Sequence, residues 1–191
     1  MQKIIITMMI FLVSAPAFAN ITVRKATVTK AVIGTLAKIL PIGDSLSLGS
    51  GGTDSFGYRN NLQDLLGIGE YNFVGTLSSP ASDATYDVNH SGVSGETSSQ
   101  IEARINTNMS YFTGYNSLKN SVLIHAGTND VTTCSPCSGA QLDTAVTNVQ
   151  DMIDLIVAKD TRISVYIALI IPHKPAGIDA DITTYNSKLV T

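Results

Sequence analysis

The sequence predicts an α/β protein, a three-layer α/β/α sandwich built around a parallel sheet. Short, continuously apolar segments alternate with amphipathic ones, the pattern of strands buried on both faces and of the helices that cover them. Turns rich in glycine and small polar residues follow the apolar segments. In such sheets reactive groups gather at those carboxyl ends. The length, 191 residues, suffices for a single domain with a substantial core.

The first nineteen residues are set apart from that domain. Lys3 gives a positive start, "IIITMMIFLV" is an apolar core, and "APAFA" ends in small residues at Ala17 and Ala19. This is the pattern of a secretory signal peptide cleaved after Ala19, leaving a secreted or periplasmic protein. The segment is too short to span a bilayer as a mature anchor; the competing reading is a buried N-terminal strand or helix. Removing 19 of 191 residues leaves 172, and removing Lys3 from 12 basic residues leaves 11 against 15 acidic, a net charge of −4. No basic run follows, so no nucleic-acid partner is expected. Residues 20–35, "NITVRKATVTKAVIGT", are a lead-in strand or a loose linker, and residues 36–191 are assigned to the domain.

"LAKILPIG" reads as a buried strand ending at Gly43. "FGYRNNLQDLLG" places Phe56, Arg59, Leu62 and Leu66 at helical spacing and stops at Gly67, a C-terminal signal. "YNFVG" is a second strand. Residues 77–95 are polar and turn-rich and are read as one long loop, of the kind that is usually functional. "ETSSQIEARIN" is a helix, "NSVLIHAG" a third strand, and "AQLDTAVTNVQDMIDLIVAK" the clearest helix. Its stripe of Leu142, Ala145, Val146, Val149, Met152, Ile153 and Ile156 faces the core. "RISVYIALII" is a fourth strand, closed by Pro172. No apolar run after the signal peptide reaches membrane length. Right-handed crossovers bring the residues after these strands, Ser45, Asn129, Asp130 and His173, to one edge of the sheet.

Both cysteines lie in "TTCSPCSG", at Cys134 and Cys137. A C-x-x-C is a redox pair, half a zinc site or a small staple. Zinc needs two more ligands, and no second C-x-x-C or H-x-H is present. A redox pair opens a helix after a strand, whereas Pro136 and the flanking Ser and Thr read as a loop. The expectation for an exported chain is a disulfide stapling that loop.

A serine in a turn is ordinarily a turn-former. "GDSLS" also lacks the second glycine of the G-x-S-x-G elbow, because Ser47 stands in its place, which disfavours a standard α/β-hydrolase. Three separated pieces, "GDSLS" at 43–47, "GVSGETS" at 92–98 and "GTND" at 127–130, fit another pattern. Through them the sequence resembles the GDSL, or SGNH, hydrolases, which have a flavodoxin-like fold. The resemblance implies that Ser45 is the nucleophile, Gly95 the block-two glycine and Asn129 the block-three asparagine. The oxyanion donors are then the Ser45 and Gly95 backbone N–H groups and the Asn129 side-chain amide. The residue types suit the chemistry. A serine hydroxyl needs a base to take its proton, the oxyanion needs fixed donors, and asparagine offers an NH₂ where aspartate does not. Asp44 and Asp130 are expected to hold the two loops by bonding backbone amides.

The wording "LPIGDS", "GYRNNL", "FVGT", "HSGVSGETS" and "LIHAGTND" is most similar to the acetyl xylan esterase branch. An acetylated small molecule or polysaccharide is the implied substrate, with no cofactor and no metal. His90 resembles a feature of that branch that shapes the acyl pocket or bonds a loop.

The family pattern also calls for a late Asp-x-x-His that supplies the general base. No D-x-x-H occurs after Asn129. His125 sits in an apolar strand, His90 in the predicted loop, and His173 between Pro172 and Pro175. The segment "YNSKL" resembles the helix that precedes the final strand, so the last strand and C-terminal helix are expected to be missing and the domain incomplete. An apolar fourth strand left at a sheet edge is an aggregation hazard. The leading expectation is therefore a secreted serine ester hydrolase that deacetylates carbohydrate. The alternatives are an SGNH scaffold that binds glycans without chemistry, and a redox or metal-loop protein built on Cys134 and Cys137.

Overall fold

The computed structural model describes residues 36–52, 55–79, 85–112, 120–172 and 178–190. The proposed signal peptide, the lead-in segment and His173 lie outside the described residues.

Strand β1 (Ala37–Gly43) is the axis of the sheet, and all but its first residue are buried. Along one side it pairs in parallel with β5 (Ser121–His125), from Ile39 opposite Ser121 to Gly43 opposite His125. Strand β6 (Ser164–Ala168) extends the sheet in parallel beyond β5. The other side of β1 is divided between two short strands. Its beginning pairs with β2 (Tyr71–Phe73) and its end with β4 (Asn89–Gly92), again in parallel. A two-residue strand, β3 (Leu77–Ser78), runs antiparallel on β4.

The segment 77–95 is thus not one loop. The sequence NHSG of β4 has no apolar residue, yet His90, Ser91 and Gly92 are buried. Polar side chains gave no alternation to read, and the strand exists because β1 offers unpaired backbone groups beyond the end of β2.

Among the described residues seven α-helices accompany the sheet: α1 (Ser45–Leu48), α2 (Arg59–Leu66), α3 (Ser98–Ala103), α4 (Ile105–Met109), α5 (Thr128–Cys134), α6 (Gly139–Lys159) and α7 (Ile178–Leu189). The single helix expected from "ETSSQIEARIN" is divided at Arg104 into α3 and α4. Two short helices, α1 and α5, replace the turn expected after Gly43 and part of the loop expected around the cysteines. Helix α6 follows its apolar stripe closely, with Leu142, Ala145, Val149, Met152 and Ile156 buried, and it opens on a capping box between Ser138 and Gln141.

Alternation along the strands sorts the core into layers. Leu40, Ile42, Val122 and Ile124 face α3, α4 and α6 together with Ile101, Ile105, Met152 and Ile156. Ile39 and Leu123 face the opposite side, where Leu62 of α2 and Phe73 pack. A further cluster joins α5, α6 and α7 through Val131, Leu142, Ala145, Ile182 and Tyr185. Three layers result. Strand β6 stands at the sheet edge, as expected: among the described residues it pairs with β5 alone, and its Val165 to Ala168 are half-buried where the apolar run reads as a strand enclosed on both faces.

Candidate active site

The carboxyl ends of β4, β1 and β5 lie side by side, with Gly43 opposite both Gly92 and His125. From these three ends the chain enters the segments carrying Ser45, Gly95 and Asn129.

Ser45 opens α1 and is half-buried. Asp44, fully buried, caps this turn by accepting from the Leu46 N–H at 2.9 Å. Its Oδ1 also lies 3.3 Å from Nδ1 of His125. That approach is within ion-pair reach but off the line of a hydrogen bond, since neither ring nitrogen of His125 has a hydrogen-bonding partner. Beneath α1 runs the end of β4. A Cβ on Gly92 would overlap the backbone of Ser47 and Leu48, so only glycine allows the strand and the serine turn to approach this closely.

Beyond Gly92, the Val93 N–H donates to the Gly43 carbonyl at 3.0 Å. The loop then reaches Gly95, which has φ +81° and open space where a side chain would stand. Arg104 steadies this loop by donating to the Glu96 carboxylate and, at 3.1 Å, to the Ser91 carbonyl. Asn129 lies in the first turn of α5, and its Nδ2 donates to the Glu96 carbonyl at 2.8 Å. One amide N–H is thereby engaged. Asp130 accepts from the N–H and the hydroxyl of Ser98 at 2.8 and 2.7 Å. Its carboxylate joins the start of α5 to the start of α3, and Asn148 of α6 donates to the same hydroxyl at 2.9 Å.

His90 is on β4, not in a loop. It is fully buried, and its Nδ1 accepts from the Gly92 N–H at 3.0 Å. Burial, followed by the positive charges of Arg59 and Arg104, pushes its pKa down to about 4. It is a neutral, internal group at pH 7.

Two residues central to this region carried little sequence signal. Arg59, read only as part of a helical stripe, is fully buried. It donates to the carbonyls of Leu48, Ser55 and Val88 at 3.0, 3.4 and 3.3 Å, and to the Ser79 hydroxyl at 2.6 Å. Its guanidinium also stacks over the Phe56 ring, so it holds the segment that follows the serine turn. An arginine within an apolar stripe was the available clue. Tyr185 had none: it lies far along the chain in "YNSKL" and reaches the turn before Asn129, donating to the Ala126 carbonyl at 2.9 Å.

Cys134 and Cys137 form a disulfide between the end of α5 and the start of α6. Among the described residues no cluster of three or more His, Cys, Asp or Glu is placed to hold a metal ion, and no helix is long and apolar enough to cross a membrane.

No family model matches the chain, and no curated protein resembles it at a significant level. Solved structures do. A family 3 carbohydrate esterase of Clostridium thermocellum superposes with a TM-score of 0.63 and 27% identity, over 82% of this chain and 70% of that one. By fold and motif, the chain is similar to the SGNH/GDSL hydrolases near carbohydrate esterase family 3. The SGNH/GDSL fold recurs in a family 3 carbohydrate esterase of Talaromyces cellulolyticus, with a TM-score of 0.60 and 21% identity over 80% of this chain and 72% of that one. A lipolytic G-D-S-L family member of Veillonella parvula gives 0.58 and 18%, over 81% and 70%. The SGNH/GDSL-like motifs "GDSLS", "GVSGETS" and "GTND" thus begin where the carboxyl ends of β1, β4 and β5 meet.

Proposed function

We propose that the protein is an exported serine ester hydrolase that removes acetyl groups from carbohydrate. The observation that carries the reading is the state of Asn129. One N–H of its amide is fixed on the Glu96 carbonyl, which orients the group and leaves its second N–H to donate to an oxyanion. Gly95 faces open space, and the N–H of Ser45, first in its helix, has no intrahelical acceptor.

In the proposed reaction the Ser45 hydroxyl attacks the ester carbonyl carbon and gives its proton to a base. The carbonyl oxygen becomes an oxyanion held by Ser45 N–H, Gly95 N–H and the Asn129 amide. Collapse expels the sugar alcohol, which takes up a proton, and leaves acetyl-Ser45. Water then releases acetate by the same route in reverse. The carbohydrate esterases among the similar structures support an acylated carbohydrate as substrate, and the "IIITMMIFLV…APAFA" segment supports export.

Two of the three histidines are unsuited to act as the base. His90 is buried and engaged with Gly92. His125 is buried beside Asp44, and no hydrogen bond joins either to Ser45. This favours a second reading, an SGNH scaffold that holds acetylated glycan without turning it over. Fluorophosphonate labelling and p-nitrophenyl acetate turnover, measured on the 191-residue chain and on Ser45→Ala, separate the two. Weak turnover lost on Ser45→Ala, together with acetate release from acetylated xylan, supports the hydrolase. Glycan binding with no Ser45-dependent labelling supports the scaffold. Robust turnover abolished by His173→Gln would identify the base directly.

A further inference from the structure

We propose that Tyr185 and Asp181 of α7 are positioning residues for Asn129, clamping the short helix α5 at its two ends. The proposal rests on the reading of Asn129 as an oxyanion donor.

Helix α5 has seven residues, too few to be stable by itself. Its placement must come from its neighbours. At its start, the Tyr185 hydroxyl donates to the carbonyl of Ala126 at 2.9 Å. Tyr185 is fully buried, and its ring occupies the space a Cβ on Gly127 would need. Gly127 itself, the residue before α5, has φ +109°. One helical turn before Tyr185, on the same face of α7, stands Asp181. Its carboxylate accepts from the Ser135 hydroxyl at 2.9 Å and from the Cys137 N–H at 3.1 Å. Both donors belong to the stretch that follows α5 and that the Cys134–Cys137 disulfide closes.

Helix α7 is itself anchored. Asn186 accepts from the Ile170 N–H at 3.0 Å and donates to the Ile170 carbonyl at 2.9 Å, pairing with that backbone as a neighbouring strand would. Ile182 and Tyr185 are buried with Val131, the internal apolar residue of α5. The clamp therefore reaches from the backbone just beyond β6 to the turn that precedes Asn129. Its importance lies in tolerance. A hydrogen bond such as Asn129 to Glu96 loses its quality over a few tenths of an ångström, and a displacement of about 1 Å at a reacting centre can cost about a hundredfold in rate.

The test has one readout that needs no activity and one that does. Amide hydrogen exchange is followed at Val131, whose N–H donates to the Gly127 carbonyl, and across the β1–β5 ladder. In Tyr185→Phe, which keeps the ring, Val131 should exchange roughly five- to tenfold faster, the factor that goes with losing one hydrogen bond, while the ladder is unchanged. Asp181→Ala should loosen the same helix, and Asp181→Asn, which keeps an acceptor, should restore it. Wild-type exchange at Val131 in Tyr185→Phe, or an equal rise at every amide, overturns the clamp. Well below the melting temperature, Tyr185→Phe should also lower kcat for p-nitrophenyl acetate several-fold at unchanged KM. Faster exchange with unaltered kcat overturns the link to Asn129. A wild-type protein inert to both ester and fluorophosphonate refutes the hydrolase reading instead, and exchange still decides the clamp.

Discussion

Asn129 concentrates the chemistry of the proposed site in one side chain. Its amide is fixed by Glu96, and its remaining donor is useful mainly when the carbonyl oxygen becomes negative. Asn129→Ala should therefore lower kcat by about a hundredfold or more while KM changes little. A change confined to KM would recast Asn129 as a substrate-positioning group. His90 lends itself to a different measurement. Its pKa is about 4 in the folded protein, against roughly 6.5 when unfolded. The unfolded chain then binds the proton more readily, so stability present above pH 6.5 is lost as the pH falls through 6.5 towards 4. Denaturant titrations at pH 7, 5.5 and 4.5 should show a steeper decline for the wild type than for His90→Gln. Parallel declines would mean that the imidazole is not held neutral by its surroundings.

Elements meet at this site with very little clearance. Strand β4 passes directly under α1 because Gly92 has no side chain. In Gly92→Ala the added methyl would meet backbone atoms, which cannot swing aside as a side chain does. The strand and the serine turn must separate, at a cost of about 1–3 kcal/mol or more, and Ser45 labelling should fall even where the protein remains folded. Chemical denaturation combined with fluorophosphonate labelling checks both parts. A Gly92→Ala protein of wild-type stability and reactivity would show that the two elements are not in such contact. Strand β4 has no local signal, because its burial is supplied by β1 and α1, although "GVSGETS" marked the loop that leaves it. By contrast, α6 was legible almost residue for residue. Its apolar stripe is a local signal that needs no partner to be read.

At the scale of the molecule, the two apolar layers around the sheet and the third cluster under α7 hold the loops at one edge. The disulfide adds to this where α5 ends. Cys134 and Cys137 are three positions apart. Closing so small a ring removes only limited freedom from the unfolded chain, about 2 kcal/mol by loop entropy. Reduction under native conditions, or Cys134→Ser with Cys137→Ser, should lower stability by about that amount, or several degrees in Tm for a chain of this size. Activity should survive below the new Tm if Tyr185 and Asp181 still grip α5. Complete unfolding on reduction would show that the bond, not the clamp, secures the helix.

By itself the sequence determined the layered α/β architecture, the order of its main strands and the three motifs that reach the carboxyl edge. Each of these is written in local pattern: continuous apolar runs, amphipathic stripes, and small residues in turns after strands. Tertiary structure decided the rest. The NHSG strand, the buried Arg59 and the reach of Tyr185 to Ala126, 59 positions away, all depend on partners remote in the chain. A polar residue becomes a structural one only when distant backbone groups surround it and remove its water, and no window of neighbouring residues records where those groups will come from.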